Sequence, residues 1–241
     1  MPFHLIAKRF TTFRERLACR YQHRRLLRRD FTIISDDCWG GQIYSAFGLK
    51  CHSPFIGMGI TAREYIDFLL HFQDAGALDV LGVSTRADNG YHLIQTRHAL
   101  LHGMHYDSAE DFRRIYERRC KTILHDRVFI KVDFGKKKYL PEHIARWNEL
   151  KFPNSVALYP DLPRFRALNI HNGVALPDWE LDGAKQFHIS CRRFDIFEWL
   201  NHGTIRLSQP YRFMQILLLE PAFLKRVLHT LHIRRTRYPW R

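Results

Sequence analysis

The sequence predicts an α/β protein with a mostly parallel sheet flanked by helices, a Rossmann-like three-layer arrangement, carrying basic helical arms at both ends. Three observations predict it. Short β-branched apolar runs, FTII at 31–34 and RVFIKVDF at 127–134, have the composition of buried strands. Segments with helical spacing and helix-opening residues follow such runs, as in TAREYIDFLLHF at 61–72 and PEHIARWNEL at 141–150. Strands alternating with helices over such distances suit parallel strands joined by crossovers.

Taken in order, the first element is a basic amphipathic helix. Ile6, Phe10, Phe13, Leu17 and Tyr21 recur every three or four residues with arginines between them. After the strand at 31–34 come Ser35, Asp36, Asp37, Cys38, Trp39, Gly40 and Gly41, and then Gln42 to Phe47, which starts a short helix closed by Gly48. Ser53 to Ile60 reads as a second short strand or loop. Thr61 caps the next helix, with Glu64 three residues on. Gly82 to Gln95 reads as a hairpin turning at Asn89-Gly90. A strand-like run ends near Tyr106, and Ser108 caps a helix with a charged face. The strand at 127–134 precedes a basic turn, Gly135 to Lys138; Pro141 opens a helix and Val156 to Tyr159 form a strand. Residues 160–185 read as loop around a short strand, Phe194 to Leu200 starts a helix, and the chain is helical again from Tyr211.

The charge divides the chain. Residues 1–30 hold nine lysines and arginines against two acids, a net of +7, and residues 225–241 hold six and no acid, a net of +6. The whole chain of 241 residues carries +14, so the body is close to neutral. Three parts are expected: a basic arm at 1–30, an α/β domain at 31–201, and a C-terminal helix with basic tail at 202–241. The arms suit an anionic membrane surface. The body shows no nucleic-acid module, which leaves a nucleic-acid partner disfavoured. Five scattered cysteines without a CxxC pair argue against a disulfide framework or a cysteine-rich zinc site and for a reducing cytoplasm. No apolar run is long enough to span a bilayer, and the first residues lack the pattern of a secretory leader.

The segment 33–57 (IISDDCWGGQIYSAFGLKCHSPFIG), with HGMHYDSAEDFRRIYERRCKTI (102–123), RVFIKVDF (127–134) and FDIFEWLN (194–201), resembles the domain of unknown function 1919 family. Its members are often labelled exopolysaccharide or capsule biosynthesis proteins. The resemblance covers about 28–201 and implies an intracellular role in building surface polysaccharide. It brings no established reaction. The family commonly has asparagine just before the cysteine, where this chain has Asp36 and Asp37.

The residues themselves offer several chemistries. Cys38, at a strand-to-helix turn, is placed as a nucleophile whose thiol a helix N-terminus can acidify, although two neighbouring carboxylates oppose that. His105 at a strand end, with Asp107 two residues on, reads as a general base with its orienting acid. Asp133, at the carboxyl end of its strand, is a second orienting acid, and Lys131 two residues earlier suits a phosphate. Trp39, Gly40 and Gly41 would face a donor or hold an oxyanion through their amides. Asp36 and Asp37 could instead take a divalent cation carrying a nucleotide-sugar diphosphate. GxSxG, GxGxxG and GxxxxGK[ST] are all absent. The expectation is a transferase moving an acyl group, with acyl-coenzyme A as donor, onto a glycan precursor. The alternatives are a non-catalytic glycan-binding or assembly factor in which Trp39, Tyr44 and Phe47 stack on sugars, and a magnesium-dependent nucleotide-sugar transferase.

Overall fold

The computed structural model describes Tyr21 and residues 24–88, 90–136 and 139–207. The amphipathic pattern of 6–17, the Asn89 turn residue and the helix and basic tail beyond 207 lie outside the described residues.

Four strands form a parallel sheet in the order β1 (Thr32–Ser35), β6 (Val128–Asp133), β7 (Ser155–Pro160) and β8 (Gly173–Leu176). β1, β6 and β7 fall on runs the sequence singled out, β8 lies in the stretch read as loop around a short strand, and β1 and β6 are buried at every position. Strands buried on both faces read as near-continuous apolar runs, here interrupted in β6 by Lys131 and Asp133 towards its carboxyl end. Alternate residues enter two different cores. Ile34, Ile130, Val132 and Ala157 pack on one face with α2 (Ala62–His71), α3 (Ala109–Cys120) and α4 (Pro141–Leu150). Ile33, Phe129, Val156 and Leu158 pack on the other with α1 (Trp39–Phe47), α6 (Gly183–Ser190) and α7 (Ile196–His202). Strand order rises steadily across the sheet, so crossovers of one hand put α4 and the short α5 (Pro163–Arg166) on a single face. The opposite face is closed by α1, which follows β1, and by the two helices after β8.

A second sheet, β2 (Met58–Ile60), β5 (Leu100–Gly103), β4 (His92–Gln95) and β3 (Gly82–Thr85) in that order, is antiparallel throughout. The expectation of a mostly parallel sheet therefore holds for half of the strands among the described residues. The reason is connection length. Only Thr96–Ala99 separate β4 from β5, too few for the crossover a parallel pair needs. The Thr96 hydroxyl closes this turn, donating to the Ala99 carbonyl at 3.0 Å and accepting its N–H at 3.1 Å.

The free edge of β1 is satisfied by side chains. The Tyr44 hydroxyl donates to Phe31 O and accepts from Ile33 N, Ser53 donates to Ile33 O, and Tyr65 donates to Ile34 O. The Tyr44 and Ser53 hydroxyls thus occupy backbone groups of Phe31 and Ile33 that a further strand would otherwise pair, while the Tyr65 hydroxyl bridges the ends of β1 and β6 by donating to Lys131 O as well.

The helix signals hold locally. Ser108 accepts from Asp111 N, Pro141 opens α4, and Gly48 closes α1 in the left-handed region at φ 59. Thr61 donates to the Glu64 carboxylate at the start of α2, with no bond from its side chain to the helix backbone. One arginine of the first basic stretch, Arg25, packs on the body. Arg25 pairs with buried Asp195 at 2.6 Å and lies 4.4 Å over the Phe197 ring, and Asn201 donates to Arg25 O.

Candidate functional site

β1 and β6 are neighbours in register, Ser35 opposite Lys131, so their carboxyl ends open at the same place. Side chains alternate along a strand, which puts Ser35, Lys131 and Asp133 on the face covered by α1 and α6. Parallel sheets gather functional groups outside the carboxyl ends of their strands, and a cluster of charges forms here. Lys131, fully buried, donates to Asp36 Oδ1 at 3.1 Å and Asp37 Oδ2 at 2.7 Å. Lys136, from the turn after β6, reaches Asp36 Oδ2 at 2.8 Å and Asp37 Oδ2 at 3.0 Å. The Tyr139 hydroxyl donates to Asp36 Oδ2 at 3.2 Å. Asp37 Oδ1 accepts from Ser35 Oγ and from Trp39 N, the first amide of α1. Two ammonium groups thus match two carboxylates, and hydrogen bonds fill most of what remains, as burying charge requires.

Asp133 is held differently. Its Oδ1 accepts from Gly135 N at 2.9 Å and from the Trp179 indole at 2.8 Å. Its Oδ2 is buried and has no hydrogen-bond partner among the described residues. Trp179, half-buried in the loop after β8, lies so close over Gly135 that a Cβ there would fall 2.3 Å from the ring. Glycine at 135 lets the indole reach Asp133.

Electrostatics separate these groups. Burial would raise the Asp37 pKa, but Lys131 and Lys136 outweigh it and hold the carboxyl well below the usual range. Burial opposes the Lys136 charge, yet Asp36, Asp37 and Asp133 raise its pKa far above that of a free lysine. At Asp133 burial dominates and, with Asp36 and Asp37 nearby, raises the pKa against the pull of the two lysines. Burial, then Asp37 and Asp182, push the Cys38 thiol up despite the lysines. The cluster holds Asp37 ionised, raises the proton affinity of the Asp133 carboxylate, and keeps Cys38 a thiol rather than a thiolate.

The expected site residues are thus partly gathered. Cys38 stands half-buried at the start of α1, beside the cluster, with Lys131 and Asp133 at the strand ends next to it. Trp39 is fully buried instead of facing a ligand; its indole donates to Ser190 Oγ and sits edge-on to Phe187 and Trp199. Tyr44 and Phe47 are core residues as well. Gly40 and Gly41 serve close packing: a Cβ on Gly40 would lie 2.9 Å from Ile33 Cγ2, and one on Gly41 3.3 Å from Ile56 Cγ2. His105 and Asp107 are exposed just beyond β5, in the antiparallel sheet. No hydrogen bond among the described residues joins His105 to Asp107, Asp133 or Cys38. The β5 end still comes near: Gly59 lies between Met104 and the Asp36 carbonyl, and Ile60 N donates to that carbonyl at 3.4 Å.

Sequence reasoning missed Lys136, Tyr139 and Trp179 as members of the site. The only available signals were a basic turn after β6 and a tryptophan in a long polar loop. A cavity of about 490 Å³ lined by Leu78, Asp79, Val80, Glu117, Cys120 and Lys121 lies at the end of α3 and includes none of these groups.

The family model described as Domain of unknown function (DUF1919) matches residues 9–201, taking in most of the first basic stretch as well as the α/β body. A protein of Haemophilus influenzae, named only as an uncharacterized protein, is 21% identical over 188 residues, covering 75% of this chain and 88% of its own length.

Proposed function

The chain belongs to the Domain of unknown function (DUF1919) family, and from that premise we propose that it is a transferase of surface-polysaccharide assembly, moving an acyl group from a thioester donor onto a glycan hydroxyl. The observation that carries this reading is Asp133: one carboxylate oxygen is fixed by Gly135 and Trp179, and the other is buried without a hydrogen-bond partner among the described residues, at the carboxyl end of a parallel strand. A carboxyl with a raised pKa and a vacant oxygen is equipped to take a proton from a bound hydroxyl. The helix-flanked sheet, with its charged cluster outside the strand ends, supports the Rossmann-like reading of the fold.

In the proposed step the ionised Asp133 takes the proton of the glycan hydroxyl while that oxygen attacks the thioester carbonyl. Lys136, the cluster's partly exposed lysine, faces the developing oxyanion. The thiolate leaves and recovers the proton from Asp133, so the ester and a free thiol are the products. Trp179 offers an apolar face to the sugar ring beside the base. Cys38, kept protonated, has a packing role next to the turn. A magnesium site at Asp36 and Asp37 is disfavoured because two ammonium groups already occupy their charge. The surface-polysaccharide setting rests on the resemblance in the sequence, and the basic stretches 1–30 and 225–241 would attach the enzyme to an anionic membrane surface.

The second reading, a non-catalytic glycan-binding factor, is favoured by the mutual saturation of the Asp36, Asp37, Lys131 and Lys136 charges, which suits a structural hub. One variant separates the two. Asp133→Asn keeps size and the Oδ1 acceptor, so acyl transfer from acetyl-coenzyme A to a glycan acceptor should fall at least about 100-fold with the protein still folded. Wild-type transfer by this variant would remove the base from the mechanism. Glycan binding without transfer by either protein would establish the second reading.

A further inference from the structure

Away from the charged cluster, the end of α2 and the β4–β5 turn bring three metal-binding side chains together. His71 closes α2, Asp74 follows in the next turn, and His98 stands in the tight turn between the strands. One ligand atom from each lies within 4.8 Å of the other two. His71 Nδ1 is 2.9 Å from Asp74 Oδ2, and the two imidazoles stack with centroids 4.5 Å apart and planes at 16°. We propose that His71, Asp74 and His98 form a binding site for a divalent transition-metal ion of the zinc class, with water in the remaining position.

The donor set fits such an ion. Two imidazole nitrogens and a carboxylate oxygen suit zinc and its neighbours, whereas magnesium prefers an all-oxygen shell. Bonds of about 2.0–2.2 Å place tetrahedral ligand atoms about 3.4 Å apart. An imidazole binds a metal in its ring plane, so closing the observed spread on one ion turns the stacked rings out of parallel, a motion open to His71 and Asp74, which are 47% and 55% exposed. The backbone beneath them is braced. Asp74 N donates to His71 O at 2.8 Å, Ala77 N donates to Asp74 O at 3.0 Å, and Thr96 locks the His98 turn from both sides. Arg97, next to His98, donates to Ala75 O at 3.2 Å and ties the two segments together. An ion here would join the helix that covers the parallel sheet to the antiparallel sheet.

The full-length chain titrated calorimetrically with zinc(II) should bind one equivalent at this site. His71→Ala and His98→Ala should each weaken that binding at least tenfold, and His71→Ala, at an exposed position, should leave the melting temperature without metal unchanged. Cobalt(II) should give ligand-field bands without a thiolate charge-transfer band, which separates this site from the five cysteines of the chain. Bound zinc should also slow amide exchange at 72–79 and 96–99. Equal affinity of wild type and His98→Ala, a thiolate band of undiminished strength in that variant, or displacement of zinc by millimolar magnesium would each overturn the proposal.

Discussion

Lys131 is a lysine with no solvent exposure, placed in the middle of a buried strand. It is tolerated there because Asp36 and Asp37 lie at 3.1 and 2.7 Å. Removing one partner of a buried pair strands the other charges. Lys131→Met should therefore lower unfolding free energy in urea at pH 7 by about 3–5 kcal/mol, and adding Asp37→Asn should recover part of that loss. Asp133 behaves in the opposite sense with pH. A carboxyl raised in the folded state costs stability as pH climbs above its unfolded value near 4. Asp133→Asn should accordingly melt above wild type at pH 8, with the gap closing as pH falls towards 4. The Asp37 contribution, from a lowered pKa, is complete above the unfolded value and fades only as pH drops through the depressed folded value. A wild-type melting curve that improves steadily from pH 4 to pH 8 relative to Asp133→Asn would contradict the burial of an ionisable group at 133.

At the scale of the element, α1 shows how a motif that looks like a ligand-binding turn can owe its composition to packing. Gly40 lies against Ile33 and Ser35 of β1, and Asp37 caps the first amide of α1. Gly183, at the start of α6, is equally tight, with a Cβ there 2.9 Å from both the Asp37 carboxylate and Trp39 N. Two helix ends thus meet on one capped carboxylate. Gly40→Ala would gain in helix propensity but must push α1 off the strand, and overpacking of this kind costs about 1–3 kcal/mol. Equilibrium denaturation should show that loss; an unchanged midpoint would mean that the helix shifts freely and that Gly40 is free for another role. This element was half legible in advance. The strand, the turn and the terminal Gly48 follow from local pattern, whereas the reason for two successive glycines lies in Ile33, Ser35 and Ile56, which approach only in the folded chain.

At the scale of the molecule, the near-neutral body and its basic ends are less separate than charge counting suggests. Arg25 spends its charge on Asp195, which also caps α7 through Phe197 N and Glu198 N. Leu26 is buried, and Leu27 N donates to Asn201. Arg25→Ala should destabilise the protein by about 1–3 kcal/mol and hasten tryptic cleavage after Arg28 and Arg29; an unchanged digestion rate would show that Leu26 and Asn201 hold the segment unaided. Among the described residues no helix is long and apolar enough to cross a membrane.

The sequence by itself determined the elements: the continuous apolar strands, the Ser108 cap, the Pro141 start, the Gly48 stop and the 82–95 hairpin. These are properties of residues two to four positions apart, and local sterics and hydrogen bonding settle them before the chain has a tertiary structure. Only the tertiary structure decided that the strands divide into a parallel and an antiparallel sheet. It also decided that Trp39 is core rather than ligand surface, that His105 and Asp107 stand exposed beyond β5, and that Asp36 and Asp37 neutralise lysines about a hundred positions away. Such pairings depend on which strand ends are brought side by side. Burial then fixes their energies, because a charge removed from water must find its counter-charge wherever in the chain that lies.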